Sequence, residues 1–147
     1  MSLDKMFQII LTQKSREALA ASVRPSRQMF SNAHLGEDEH THHVTLFHPR
    51  SHKDPAHFAL LKPTSKFLII PTGVVETSYV VAVTVVVKHC ASGLFYQYQA
   101  CGRKPLHITV ACADGVQPVA ANDAIASQRI LPVAYEWLDG RLAWVDA

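Results

Sequence analysis

At 147 residues the chain is long enough for one domain with a real core and too short for two comfortable ones, so residues 1–147 are expected to form a single domain. Hydrophobic residues at 48% and charged residues at 18% exclude a disordered chain, and a formal charge of +2 permits an RNA or nucleotide ligand without the concentrated basic face of a large nucleic-acid interface. No run reaches the ~18 apolar residues of a membrane span, and Met1 to Lys14 lacks a signal-peptide pattern. The 3 cysteines, Cys90, Cys101 and Cys112, are odd in number and lack Cys-x-x-Cys spacing, which points to an intracellular, reducing and cytoplasmic setting.

In chain order, Met6 to Leu11 reads as a first strand and Ser15 to Val23 as a helix with Ser15 at its N-cap. Arg24 to Glu39 is polar and reads as a loop. Val44 to Phe47 is a strand ended by Pro49, and Asp54-Pro55 opens a helix that runs to Leu61 and is closed by Pro63. Phe67 to Ile70 and Tyr79 to Val87 are strands separated by a turn around Pro71 to Gly73. The second is nearly continuous in apolar residues and is expected to be buried on both faces. Leu94 to Ala100 alternates as a strand, Gly102 to Pro105 breaks it, and Leu106 to Cys112 is the next strand. Asp114-Gly115 marks a turn, and Asn122 to Gln128 a short helix that Asn122 and Asp123 would cap. Val133 to Leu138 and Arg141 to Val145 flank Asp139-Gly140, a hairpin signature. Roughly seven strands and two or three helices, interleaved and with hairpins, give an α+β class.

Two of these strands carry the same string. One is His43-Val44-Thr45-Leu46, the other His107-Ile108-Thr109-Val110. Side chains alternate along a strand, so His43 and Thr45 share one face, His107 and Thr109 share one face, and Val44 and Ile108 point into a core. Two such strands side by side present two imidazoles and two hydroxyls to one cleft. An imidazole of ordinary pKa ~6.5 serves as base or acid near neutrality. Hydroxyls donate to the non-bridging oxygens of a phosphate, where transition-state charge must be held. The set suits metal-free cleavage of a phosphodiester. Sequence leaves open which histidine is the acid and which the base.

The paired motifs resemble those of the two-histidine (2H) phosphoesterase superfamily, which includes RNA ligase-like and cyclic-phosphodiesterase proteins. The stretch Gly115-Val116-Gln117-Pro118-Val119-Ala120-Ala121-Asn122-Asp123 is similar to the one that follows the second histidine in RNA-repair-like members. The short segment between Val87 and Leu106 departs from the pattern, because it has little room for a helix that many members carry there. The resemblance implies a bilobal fold in which two antiparallel sheets line a central cleft, with helices outside and one motif from each lobe. It implies chemistry on 2′,3′-cyclic phosphates or related phosphodiesters of RNA ends or nucleotides, with no cofactor. His43 and His107 take the acid–base positions, and Thr45 and Thr109 the phosphate contacts.

Other residues carry weaker signals. Arg103 and Lys104 precede the second motif and suit a phosphate at the cleft mouth, or simply a solvated basic turn. Tyr96 and Tyr98 share a strand face, where they would stack a base or pack on the sheet. His40, His42, His43, His48 and His52, near Glu37, Asp38 and Glu39, invite a metal-site reading. No cysteine lies nearby, and His42 would face away from His43, so a polar loop beside an active-site strand is the preferred reading. The expectation is therefore a metal-independent 2′,3′-cyclic phosphodiesterase-like hydrolase with an RNA end or small nucleotide as partner and no membrane. The competing classes are a non-catalytic RNA- or nucleotide-binding module on the same fold and a histidine-cluster metal protein.

Overall fold

The computed structural model describes residues 5–23, 42–47, 62–98, 104–112 and 120–146. These form a mostly-strand α+β fold of β1 (Lys5–Leu11), α1 (Gln13–Ser22), β2 (His43–Phe47), β3 (Lys66–Glu76), β4 (Val80–His89), β5 (Phe95–Tyr96), β6 (His107–Cys112), α2 (Ala120–Ser127), β7 (Leu131–Pro132) and β8 (Leu138–Asp146). All described strands belong to one antiparallel sheet with the order β2-β1-β8-β3-β4-β5. Strand β6 joins the free edge of β4, and β7 the edge of β3. The two separate sheets that the resemblance implies are here joined, because Lys66–Ile69 of β3 pairs with Leu138–Arg141 of β8. The sheet curls. Strands β2 and β6 lie at opposite ends of the order, yet their Cα atoms approach to within 8 Å.

The main core lies on one face. It collects Ile9, Val44, Leu46, Phe67, Val83 and Ile108 with their neighbours, all under Leu19, Ala20 and Val23 of the α1 region. Helix α1 starts at Thr12, not at Ser15. The Thr12 hydroxyl accepts from the Ser15 amide at 3.2 Å, which is the N-cap bond, while the Ser15 hydroxyl accepts from the Asp139 amide at 2.8 Å and ties the helix to β8. A smaller core occupies part of the other face, where Ala121, Ala124 and Ile125 of α2 pack on Val75, Val80 and Ala82. Strand β4 therefore serves two cores, which is why its run of valines is buried on both sides.

Local signals were misleading at several points. Pro71 lies inside β3, and the turn falls at 77–79, where the Thr77 hydroxyl accepts from the amides of Tyr79 and Val80. A proline fits there because its partner Val85 directs its own amide away, to the Leu106 carbonyl. The nitrogen of Pro71 faces the gap between the β8 and β7 pairings, where no ladder donor is needed. Asp139-Gly140 is also no hairpin, since β8 runs straight through it. Gly140 is needed for close approach: a Cβ there would meet Ile9 Cγ2 at 2.6 Å and the Ile10 carbonyl oxygen at 3.0 Å. Val133 to Trp137 is not a strand, and only Phe95–Tyr96 of the expected 94–100 strand is regular, with a Tyr98–Pro105 bridge beyond it. Asn122 and Asp123 lie within α2 rather than ahead of it. The loop expected at 24–39, the helix at 54–61 and the turn at Asp114-Gly115 fall outside the described residues.

Candidate active site

The face opposite the main core receives one row of side chains from each strand. Core positions Val44 and Leu46 fix the phase of β2, and Ile108 and Val110 that of β6. His43, Thr45, His107 and Thr109 therefore fall on the same, opposite face, and all four are half-buried. The register places their neighbours. On β1, Ile10 lies opposite His43 and Gln8 opposite Thr45. On β4, Thr84 lies opposite His107 and Ala82 opposite Thr109.

Each motif strand contains an extra residue directly after its threonine. In β2 the pairing passes from Gln8–Thr45 to Phe7–Phe47 and skips Leu46. In β6 it passes from Ala82–Thr109 to Val81–Ala111 and skips Val110. A bulge bends its strand and raises the local twist, and so re-aims the side chains beside it. Both skipped residues stay in the main core, so each bulge bends the sheet where its threonine leaves it. A further bulge in β3 skips Thr72, whose hydroxyl meets the Thr84 hydroxyl at 2.9 Å and donates to the Thr84 carbonyl at 3.1 Å.

The imidazole of His107 is oriented by the chain itself. Its Nδ1 lies 3.1 Å from the Pro105 carbonyl oxygen. A carbonyl only accepts, so Nδ1 carries the proton, and the neutral ring keeps its lone pair on Nε2. Burial pushes the His107 pKa below the ordinary 6.5, and the Pro105 bond opposes this in part. His107 is therefore held toward its neutral form, with Nε2 as an available acceptor.

The weaker assignments divide. Lys104 is half-buried and lines a pocket of ≈ 240 Å³ with Pro105, Asn122, Ile125, Ala126 and Ile130, so it stands close to the residue that orients His107. Arg103 lies outside the described residues. Tyr98 is exposed and bridges Pro105, whereas Tyr96 turns into the main core, its ring 6.4 Å from that of Phe67. Of the histidine cluster, His42 is fully buried while His43 is half-exposed; His40, His48 and His52 lie outside the described residues. Among the described residues no three His, Cys, Asp or Glu side chains are arranged to hold a metal ion. Cys90 and Cys112 are free thiols, and no described helix is long and apolar enough to cross a membrane.

No family model matches the sequence, and no curated protein matches it. The fold is similar to solved structures. One is the crystal structure of a fungal RNA kinase, with a TM-score of 0.55 and 14% identity, covering 99% of this chain. The chain spans 44% of that protein's length.

Three polar residues of the site face had only faint sequence signals. Gln8 is buried beside Thr45 and is the polar residue within the apolar run Phe7 to Leu11. Thr84 is the one hydroxyl in the valine-rich run of β4. Thr72 was obscured by Pro71, which reads as a turn.

Proposed function

We infer that the protein is a phosphoesterase that opens a 2′,3′-cyclic phosphate, or a related phosphodiester, at an RNA end or on a nucleotide. The observation that carries this reading is the meeting of β2 and β6. Two identical His-x-Thr patterns lie on strands from the two ends of the strand order, strands that approach within 8 Å between Cα atoms, and both turn the same face away from the core. The bulge after each threonine makes the two units alike in backbone as well as in sequence. In this reading the β2-β1-β8 half and the β3-β4-β6 half correspond to the two lobes of a 2H phosphoesterase. The RNA kinase of similar fold supports RNA-end modification at a coarser level. The Gly-x-x-x-x-Gly-Lys-Ser/Thr loop that cradles nucleotide phosphates does not occur in this sequence, and the reading rests on the histidines instead.

Neutral His107 takes a proton on Nε2 from a water molecule as the water oxygen attacks phosphorus. One phosphorus–oxygen bond of the ring breaks. The departing ribose oxygen takes a proton from His43, which acts as the imidazolium. Thr45 and Thr109 donate to the non-bridging oxygens. The products are a phosphate monoester, protonated His107 and neutral His43, and solvent returns the proton. The hydrogen bond that fixes the tautomer of His107 and the burial that lowers its pKa support this assignment of roles.

The test is turnover of 2′,3′-cyclic nucleotides and cyclic-ended oligonucleotides, in buffer and in EDTA. Hydrolysis to a monophosphate at equal rates in both is expected, because the two imidazoles do the work a metal would otherwise do. Binding without turnover would leave a non-catalytic RNA- or nucleotide-binding module, and loss on chelation with restoration by zinc would favour the histidine-cluster reading.

A further inference from the structure

The alternation of β5 separates two aromatic rings. Tyr96, opposite Val87, turns into the main core, and burial raises its phenol pKa. Phe95, opposite Lys88, turns to the site face and is 59% exposed. The Lys88 ammonium lies 5.6 Å from the centre of the Phe95 ring, close enough for a cation–π contact. Lys88 follows Thr84 by four residues on the same face of β4, and Thr84 is the cross-strand neighbour of His107. Along an extended strand this places the ring and ammonium ~13 Å from the level of His107. A strand stacked at ~3.4 Å per nucleotide covers that distance in about four steps, and a stretched one in fewer.

The same face carries further positive charge. Lys66 and Arg141 are paired across β3 and β8, in the row that leads through Ile10 to His43. Asp139, opposite Leu68, is the acidic residue on this face among the described strands. An exposed ring with a cation over it, in line with a phosphate-cleaving centre and among other cations, matches the way single-stranded nucleic acid is held. Bases stack on the ring, and ammonium groups meet the backbone.

We propose that Phe95 and Lys88 form a platform for the single-stranded RNA that carries the reacting end, with an upstream base stacked on Phe95 and a backbone phosphate on Lys88. This rests on the phosphoesterase reading and makes an oligonucleotide, rather than a mononucleotide, the preferred substrate. The test is kcat/KM across a series of 2′,3′-cyclic-ended substrates from one to five nucleotides, for the wild type, Phe95→Ala, Phe95→Trp and Lys88→Ala. In the wild type, the ratio of the longest substrate to the mononucleotide should reach about 10-fold, the size of one stacked base. It should fall close to unity in Phe95→Ala and be retained in Phe95→Trp. Lys88→Ala should lower the dependence of affinity on salt by about one counterion. A wild-type ratio near unity, or one that survives Phe95→Ala, overturns the platform. If the wild type turns over none of the series, the phosphoesterase reading fails by itself. Anisotropy with a labelled cyclic-ended pentanucleotide then decides on the platform, which stands if Phe95→Ala weakens binding about 10-fold and falls if affinity is unchanged.

Discussion

Strands β2 and β6 carry the same string with the same bulge, yet their surroundings differ. β2 lies at the end of the sheet and pairs with β1 alone among the described strands, with apolar Ile10 opposite its histidine. β6 lies on the edge of β4, has a hydroxyl opposite its histidine, and sits beside the small core that α2 builds on Ala82. Its chain also approaches through Pro105, whose carbonyl holds the imidazole of His107 and sets its tautomer. Identical local sequence thus yields at His107 an imidazole with a fixed lone pair and a lowered pKa, among neighbours that differ from those of His43. Where acid and base are the same residue type, it is the neighbours that set their pKa values apart.

The sharpest way to break this comparison is to remove each imidazole. His43→Ala and His107→Ala should each lower turnover of a 2′,3′-cyclic nucleotide by at least ~10²–10⁴-fold, the range for positioned acid–base groups. The double variant should lose far less than the product of the two, because the pair acts as a unit. Near-normal turnover in either single variant would mean that the strands are alike only in sequence.

A smaller effect is expected at the hydroxyls. Thr45→Ala and Thr109→Ala each remove one hydrogen bond to a charged group, worth ~1.5–3 kcal/mol, and should cost about 10–10²-fold in kcat/KM. Equal losses would place the phosphate symmetrically between the two strands. A loss confined to one threonine would assign the phosphate to that strand.

The smallest effect reads the difference between the histidines directly. The base must be neutral, so activity falls as pH drops through the pKa of His107 in the folded protein. Burial lowers that pKa, so the acid limb of kcat/KM against pH should have its midpoint below 6.5. The alkaline limb should report deprotonation of the acid. An acid limb at or above 6.5 would remove the case for His107 as the base and suggest exchanging the two roles.

Much of the site was legible in the sequence because strand alternation is local. The valine and isoleucine between each His and Thr fix which side faces the core, whatever the sheet does elsewhere. The double burial of β4 is legible locally as well, from a nearly continuous apolar run. Turn chemistry is less legible. Pro71 and Asp139-Gly140 have turn-forming composition but lie inside strands. One is tolerated in a gap between two partners, and the other is required for close approach to Ile9 and Ile10, and neither circumstance is encoded next door in the chain. Alternation puts Tyr96 and Tyr98 on one face, for base stacking or for packing on the sheet; Tyr96 packs into the core, and Phe95 is the ring left on the site face.

The sequence by itself determined the chemistry on offer: two imidazoles and two hydroxyls, each pair on one face of a strand, together with an α+β class. That much depends only on residue identity and period. Tertiary structure decided that the ends of one curled sheet meet, that each threonine sits beside a bulge, that Gln8, Thr72 and Thr84 join the same face, and that the two histidines differ. These depend on pairing between segments far apart in the chain and on burial, and a pKa responds to the dielectric and the partners that only the folded chain assembles.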